Sequence, residues 1–376
     1  MSQRRIPAAV VAMALSCVSA AMAQTAQPAA APQGETAADK YKNIQVLKEL
    51  PAEQLDSVMR FMTAALGTRC EFCHVQAEQG TWAWEKDDKK PKQTARKMIE
   101  MTKAINARDF EGRTTVNCAS CHHGRTEPDR LPPLAQEMTP QQVLDATAAR
   151  AQPAPQRATR PSETVDQVLD KYMQALGGRA ALETITSRVM KGTVTQQNLT
   201  SYAITIEEKP QARYRFTAED RTNTTRGFDG KSGWVQESGN TSDLAGLQLQ
   251  RFTRLADLGV PLAFKQRYTN ATVVRYGTID GKDVIVLGAR TSPDVSEALS
   301  FDRQSGLLLR RSITTRTALG GLPEQVDYSN YTDIDGIKVP FQIRHTGWNF
   351  VLTQKFTSVK LNTPIDDVRF QKPGGR

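Results

Sequence analysis

The first 128 residues carry apolar side chains at the spacing of α-helices. One stripe begins after Pro51 and ends at Gly67, and a second lies within residues 95–105. Apolar positions recur three, four and seven residues apart, which places them on one helix face. The stripes comprise Leu55, Val58, Met59, Met62 and Leu66, and then Ala95, Met98, Ile99, Thr102 and Ile105. The pattern therefore predicts two amphipathic helices in this part of the chain.

Further along the chain the period changes from helical to alternating. Thr164 precedes one more helical stripe, which Gly177-Gly178 ends. Alternating or continuous apolar runs then predict strands at residues 202–206, 284–287, 307–309 and 351–356. Turns between strands are indicated by Asp229-Gly230, Asp280-Gly281, Ser305-Gly306 and Asp335-Gly336. Many short strands after one helix predict an antiparallel sheet curled into a barrel or half-barrel.

These patterns give an α+β multidomain fold class. A small all-α module is followed by a mainly antiparallel β half-barrel with one preceding helix. The order of one helix and then many strands resembles the periplasmic lipoprotein-carrier fold, an open β-barrel with helices across its mouth. That resemblance implies a lipid or an envelope protein as a partner of the C-terminal domain.

Composition sets the expected domain boundaries and the compartment. Arg4 and Arg5, the apolar run 6–15 and the sequence Ala21-Met22-Ala23 have the form of a removable signal peptide over residues 1–23. We expect export to the periplasm, with a membrane anchor or a lipoprotein attached at Cys17 as the less favoured alternatives. The remaining boundaries are a flexible tail (24–40), a module (41–128), a Pro/Ala-rich linker (129–162) and a β-rich domain (163–376).

The net charge of +9 is spread over the chain and includes no block of Lys and Arg. Nucleic acid is therefore not an expected partner.

Two short motifs contain every cysteine that remains after the leader. They read Cys70-Glu71-Phe72-Cys73-His74 and Cys118-Ala119-Ser120-Cys121-His122. C-x-x-C-H is the attachment signature of c-type haem, because two thiols one turn apart reach the two vinyl groups and the histidine binds iron. A Cys₄ zinc site, two disulfides or thioredoxin-like pairs would leave both histidines unexplained. The sequence thus predicts two covalently bound haem c groups, with Cys70, Cys73, Cys118 and Cys121 as attachment sites.

Histidine counting limits the ligands on the second face of each iron. The chain has four histidines, and two of them, His74 and His122, are expected as proximal ligands. His123 adjoins His122, and His345 lies far along the chain in a predicted strand. Methionine is the remaining soft ligand, and each predicted helix carries Met-x-x-Met, namely Met59/Met62 and Met98/Met101. One methionine of each pair is expected to bind iron.

Helix, loop and haem motif thus occur twice, and this repeat resembles the cytochrome subunit of photosynthetic reaction centres. The resemblance covers residues 41–128 and rests on Asn43-Ile44-Gln45-Val46-Leu47 and on Ala95–Thr102 with Asn106, each ahead of its haem motif. It implies that the first methionine of each pair, Met59 or Met98, is the distal ligand, and that Met62 and Met101 belong to the core. The chain departs from the family in having one pair of haem motifs, where the well-known subunit has four haems, and in having His123 where Arg is common.

Three functions fit this sequence. The favoured one is a non-enzymatic carrier of single electrons between a redox donor and an acceptor, such as a membrane-bound reaction centre or a respiratory complex. The alternatives are a dihaem enzyme such as a peroxidase, and an envelope protein that binds lipid or a partner and uses the haems as a sensor. Arg69, Arg96 and Arg125 are candidates to pair with haem propionates, and Trp82 and Trp84 are expected to pack in a small core.

Overall fold

The computed structural model describes residues 34–77, 81–128, 161–255, 258 and 260–374. The predicted signal peptide lies outside these residues, as do residues 129–160 of the predicted linker. No helix in the described ranges has the length and apolar character needed to cross a membrane.

Residues 34–128 form the N-terminal module. Both helices predicted there are present, since α2 ends at Gly67 in a left-handed conformation and the longer α4 follows the first haem motif. The five helices are α1 (Ala37–Lys40), α2 (Leu55–Leu66, after a 3₁₀ turn at Ala52–Gln54), α3 (Cys70–Cys73), α4 (Lys90–Asp109) and α5 (Cys118–His122). A two-stranded ribbon of β1 (Val75–Gln76) and β2 (Trp82–Ala83) also forms, which the all-α prediction omitted.

The module begins earlier in the chain than the sequence suggested. Thr36 caps α1 in a reciprocal capping box with Asp39. Ala37 is fully buried in the same cluster as Val58 and Phe61 of α2. Residues 36–40, which the sequence assigned to a flexible tail over 24–40, thus form a short anchor that completes the module's core.

The C-terminal part is one open antiparallel sheet of 13 strands. It runs β8-β7-β6-β5-β4-β3-β15-β14-β13-β12-β11-β10-β9, so that β8 and β9 are its edges. The strands are β3 (Arg188–Gln196), β4 (Ser201–Lys209), β5 (Arg213–Ala218), β6 (Thr225–Asp229), β7 (Gly233–Glu237), β8 (Asn240–Asp243), β9 (Thr272–Ile279), β10 (Lys282–Ser292), β11 (Val295–Asp302), β12 (Leu308–Thr317), β13 (Gly320–Ile334), β14 (Ile337–Thr346) and β15 (Val351–Leu361). The α+β fold class, with helices followed by an unclosed antiparallel sheet, is confirmed.

Among the described residues after 160, four α-helices accompany the sheet and pack on one face. They are α6 (Val165–Ala175), α7 (Arg179–Glu183), α8 (Gly246–Leu255) and α9 (Val260–Arg267). Tyr172 of α6 and Phe264 of α9 meet Phe301 of β11 in a buried aromatic group. The apolar side chains of this chain thus occupy the helix-covered face of the sheet.

The module rests on the hairpin between β12 and β13. Leu319, at the tip of this hairpin, is buried in the module's core with Phe61. A Cβ atom on Gly320 would lie 2.5 Å from the Phe61 ring, so only glycine permits this approach. On the same helix, the guanidinium of Arg60 lies 5.6 Å from the ring centre of Trp348. Helix α2 and the 3₁₀ turn before it, whose Gln54 donates to Asp294 at 3.3 Å, therefore join the module to the sheet.

Candidate haem-binding site

Each haem motif folds as a single helical turn, which is the geometry that its spacing requires. Cys70 and Cys73 begin and end α3, and the amide of His74 donates to the carbonyl of Cys70 at 2.9 Å. The second turn is fixed at its start by Asn117, whose side chain accepts from the amide of Ala119 at 2.9 Å. One turn between two thiols matches the separation of two adjacent haem vinyl groups.

The two motif histidines differ in the surroundings of their rings. The Nδ1–H of His122 donates to the carbonyl oxygen of Arg125 at 2.9 Å, which leaves Nε2 available for a metal. Burial and the nearby Lys92 lower the pKa of His74, so its imidazole is neutral at pH 7. The Nδ1 of His74 is buried without a hydrogen-bond partner in the described structure. These features fit two haem c groups with His74 and His122 beneath the rings.

The same features disfavour the other interpretations of the cysteines. All four are free thiols, so the two-disulfide alternative does not match the structure. Burial raises the pKa of the Cys73 and Cys118 thiols, so both stay protonated at pH 7 in the folded chain. Across the described ranges, no three His, Cys, Asp or Glu side chains are grouped to hold a bare metal ion.

The tryptophans lie beside the first haem motif. Trp84 contacts the His74 ring edge-on, with ring centres 5.0 Å apart, and stacks on Trp82 at 4.8 Å. Trp84 is 51% exposed, so its expected place in a small core is wrong. The Trp84 ring instead packs against His74, the candidate iron ligand, and the spacing in the sequence did not indicate this contact.

The four candidate methionines differ in their surroundings. Met62 packs against the module's core, as expected. Met59 and Met98 are half-buried on α2 and α4. Met101 is 43% exposed, so the expectation that it belongs to the core is wrong. Met59 and Met62 are thus both half-buried and differ in that Met62 contacts the core, whereas Met101 is accessible beside Met98.

The two repeats are interlocked in the folded module. The amide of Gly124, just after the second haem motif, donates to the carbonyl of Ala65 in α2 at 2.9 Å. A Cβ atom on Gly67 would lie 1.9 Å from the Gly124 carbonyl oxygen, so the contact requires glycine there. Lys89, at the start of α4, donates to the carbonyl of Glu71 within the first motif. Each motif is therefore held against the helix of the other repeat, and the positions of both motifs are mechanically coupled.

Asn106 links α4 to the loop before the second motif. Its side-chain amide donates to the carbonyl of Val116 at 2.7 Å, and its oxygen accepts from the amides of Thr115 and Val116 at 3.0 and 2.9 Å. The side chain is buried, and these bonds use one of its two N–H donors and both acceptor sites of its oxygen. The resemblance singled out this position, but the residue pattern alone did not reveal its role.

Of the arginines suggested as propionate partners, Arg96 has another role. Its guanidinium binds both carboxylate oxygens of Asp87 at 2.7 and 2.9 Å and the carbonyl of Asn43 at 3.2 Å. These bonds hold the pKa of Asp87 well below its usual range. Arg96 therefore ties α4 to two loops, and the suggestion that it pairs with a propionate is not supported.

Two C-x-x-C-H turns, each ending in a histidine, and methionine-bearing helices define a c-type cytochrome module joined to an open antiparallel sheet. The family model described as photosynthetic reaction centre cytochrome C subunit matches residues 8–208, more than half of the chain, and the chain belongs to this family. The match extends beyond the region 41–128 on which the resemblance rested, into β3 and β4. Membership implies covalently bound haem c.

Curated relatives carry the same description. The photosynthetic reaction center cytochrome c subunit of Roseobacter denitrificans is 32% identical over 157 residues, which cover 38% of this chain and 40% of that protein. The subunit of Thermochromatium tepidum is 34% identical over 105 residues, covering 27% and 25%. The chain thus spans well under half the length of these relatives.

Solved structures align with just over half of the chain. A DUF1329 family protein from Desulfovibrio piger is 11% identical with a TM-score of 0.43, over 56% of this chain and 98% of that one. A LolA superfamily protein from Nitrosomonas europaea is 15% identical with a TM-score of 0.40, over 56% and 99%.

Proposed function

We propose that this protein is a periplasmic dihaem c-type cytochrome that carries single electrons between redox partners and has no enzymatic activity of its own. The observation that supports the proposal most directly is the pair of C-x-x-C-H turns, which the Gly67–Gly124 contact holds at fixed positions. We propose that a membrane-bound photosynthetic reaction centre is one partner, because the relatives are named as cytochrome c subunits of such centres. A respiratory complex is the alternative acceptor.

Each candidate residue has a defined task in this proposal. The thiols of Cys70 and Cys73 attach the first haem, and those of Cys118 and Cys121 attach the second. His74 and His122 bind iron through their free ring nitrogens, and the Arg125 carbonyl orients the His122 ring. Haem c supplies a one-electron ferric–ferrous couple when bound. Met59 and Met98 would be the second protein ligands of the two irons, and thioether ligation would raise the reduction potential and leave no open site for a substrate.

The proposed organisation follows from these assignments. A signal peptide over residues 1–23 exports the chain to the periplasm. The paired cysteines of the two haem motifs agree with this location, because haem c attachment is associated with an oxidising compartment. The electron-transfer module covers residues 36–128, a linker follows to residue 160, and the sheet domain covers the rest. The sheet domain holds the module through Phe61 and the β12–β13 hairpin.

The haem content is tested by expression together with a haem-ligation system. Intact mass should exceed that of the mature apoprotein by two haem groups, and the band on a denaturing gel should stain for haem. Replacing Cys70 and Cys73 with Ala should remove the first haem. Replacing Cys118 and Cys121 with Ala, in a separate variant, should remove the second haem. A protein of apoprotein mass under these conditions contradicts the proposal.

The dihaem-peroxidase alternative is separated from the carrier by the ferric optical spectrum. A peroxidase needs one iron with an open axial position, which gives high-spin features. We expect a low-spin spectrum for both haems, because each has a methionine-bearing helix beside it. High-spin features together with peroxide turnover would favour the enzyme.

A further inference from the structure

The sheet carries a cleft on the face opposite its main core. The cleft has a volume of about 580 Å³ and lies over β15, β3, β4 and β5. Met190 and Ile206, on the same strands, point to the other face and are buried. The strand register sets two rows of side chains across the floor of the cleft. One row is Lys360, Val189, Glu207 and Arg215, and the other is Ser358, Lys191, Thr205 and Thr217.

The C-terminal segment 363–370 forms a wall of this cleft and is firmly held. Asp367 accepts from Lys209 at 2.5 Å and from Arg213 at 2.7 Å. Phe370 is fully buried, and its carbonyl accepts from the indole nitrogen of Trp234 at 2.9 Å. Thr363 accepts from the hydroxyl of Ser187 at 2.6 Å. The wall is therefore anchored at both ends, so the shape of the cleft is preorganised.

The charge of the cleft is strongly positive. Lys191, Lys360, Arg215 and Arg369 line it against the single carboxylate of Glu207, an excess of three positive charges. The carboxylate of Glu207 pairs with Arg215 at 3.0 Å and with Arg369 at 2.8 Å, so it is occupied by these two arginines. Within the described ranges, Lys191 and Lys360 form no ion pair. Two lysine ammonium groups thus face the cleft without a counter-ion.

Unused hydrogen-bond donors also face this space. The Nε of Arg215 is buried and has no partner in the described structure. The hydroxyl groups of Thr205, Thr217 and Ser358 lie in the same row as Lys191 and have no hydrogen bond to described residues. A bound oxyanion would accept from these hydroxyl groups and from the two lysines, which otherwise have no partner among the described residues. Apolar side chains of Val189 and Ile365 complete the lining beside these donors.

We propose that this outer cleft binds a phosphate group carried on a small organic body. A phosphate offers several oxygen acceptors that match the separated lysine, arginine and hydroxyl donors. The volume exceeds that of inorganic phosphate, and Val189 and Ile365 provide an apolar contact for the attached body. The phosphate group can belong to a free metabolite or to the headgroup of an anionic phospholipid. The site lies on the sheet domain and does not depend on the function of the haems.

The test uses the full haem-loaded protein and two probes, at an ionic strength near 0.15 M. Inorganic phosphate is titrated by calorimetry, and vesicles of phosphatidylcholine with or without phosphatidylglycerol are tested by co-sedimentation. The variant Lys191→Gln/Lys360→Gln should weaken binding of the responding probe at least tenfold. The control Lys231→Gln/Lys282→Gln removes the same charge from exposed lysines outside the cleft and should leave binding unchanged.

Each outcome decides the proposal. Phosphate binding that only the cleft variant loses supports a free phosphorylated ligand. Binding confined to vesicles with phosphatidylglycerol, and lost only in the cleft variant, supports a lipid headgroup. Equal weakening in both variants, or no binding of either probe below a Kd of about 1 mM, overturns the proposal.

A second variant covers the case in which Lys191→Gln/Lys360→Gln misfolds. Glu207→Gln removes the one carboxylate of the cleft and keeps a side chain that can bond Arg215 and Arg369. It should strengthen binding of the same probe severalfold, and circular dichroism verifies the fold. Unchanged or weaker binding in a folded Glu207→Gln protein contradicts an anion site here.

Discussion

The cytochrome module and the sheet domain differ in how far each is stabilised by its own hydrophobic core. The module's core has seven buried apolar residues, and one of them, Leu319, comes from the sheet. The sheet's core has 27 buried apolar residues, all from residues 168–359. Small domains bury a smaller fraction of their surface and are correspondingly marginal. The module therefore depends on the hairpin and on its covalent haems, whereas the sheet is expected to be self-sufficient.

Separation of the two regions should give the largest effect. A fragment of residues 161–376 should unfold cooperatively with a β-type circular dichroism spectrum, because its core is complete without the module. A fragment of residues 34–128 loses Leu319 and the Gly320 contact and should melt at a lower temperature than the same module in the full chain. A disordered sheet fragment would show that the module contributes to its core.

Removal of the proposed distal methionines should change the haem spectrum without unfolding the sheet. Ferric haem with His and Met ligands shows a weak sulfur-to-iron charge-transfer band at the red edge of the visible spectrum. Met59→Ala or Met98→Ala should each remove about half of this band and lower one of the two midpoint potentials. Met62→Ala should keep the band and cost about 2–5 kcal/mol if its contacts in the core are complete.

Because each motif packs against the helix of the other repeat, a test is needed of which methionine binds the iron of which haem. In a Cys70→Ala/Cys73→Ala background only the second haem remains, and the resemblance assigns Met98 to it. Met98→Ala should then abolish the remaining band, and Met59→Ala should leave it intact. The reverse result would assign Met59 to the second motif, which packs against α2 through Gly124 and Ala65. Band loss with Met101→Ala would instead select that exposed methionine.

Local sequence signals account for the parts of the molecule that were predicted. The Asp-Gly pairs mark real turns, since Asp280 and Gly281 both have positive φ between β9 and β10. Thr164 caps α6 in a box with Gln167, and Gly177 follows its end. Each of these features depends on residues within a few positions, so the sequence carries the whole signal.

The contacts that were missed join residues far apart in the chain. Phe61 meets Gly320 and Leu319, and Trp84 meets His74 across the β1–β2 ribbon. Nothing in the local pattern around Gly320 distinguishes it from an ordinary turn glycine. The outer cleft was missed for the same reason, because register alone brings Lys191 beside Ser358.

Gly320→Ala should weaken the junction between the two regions. The new methyl group would lie 2.5 Å from the Phe61 ring, at a φ of +150° that favours glycine. We expect a loss of about 2–4 kcal/mol in the module's stability, with little effect on the isolated sheet fragment. Gly34→Ala is the matched control, since Gly34 has a φ of +148° and open space around it. Equal losses in both variants would attribute the effect to backbone strain alone.

The sheet itself should show a smaller, pH-dependent effect through His345. Burial lowers the pKa of His345 to about 4, against the hydrogen bond that its ring donates to Gln354 and the charge of Glu324, which both act to raise it. The unfolded chain has an ordinary histidine pKa near 6.5, so it takes up a proton before the folded chain does as the pH falls. Stability is therefore lost between pH 6.5 and 4, by about 1–2 kcal/mol from pH 7 to 5. Thermal melts of the sheet fragment should show this loss, and His345→Gln should reduce it. An unchanged pH dependence in His345→Gln would assign the loss to other groups, such as the buried ion pair of Glu297 and Arg311.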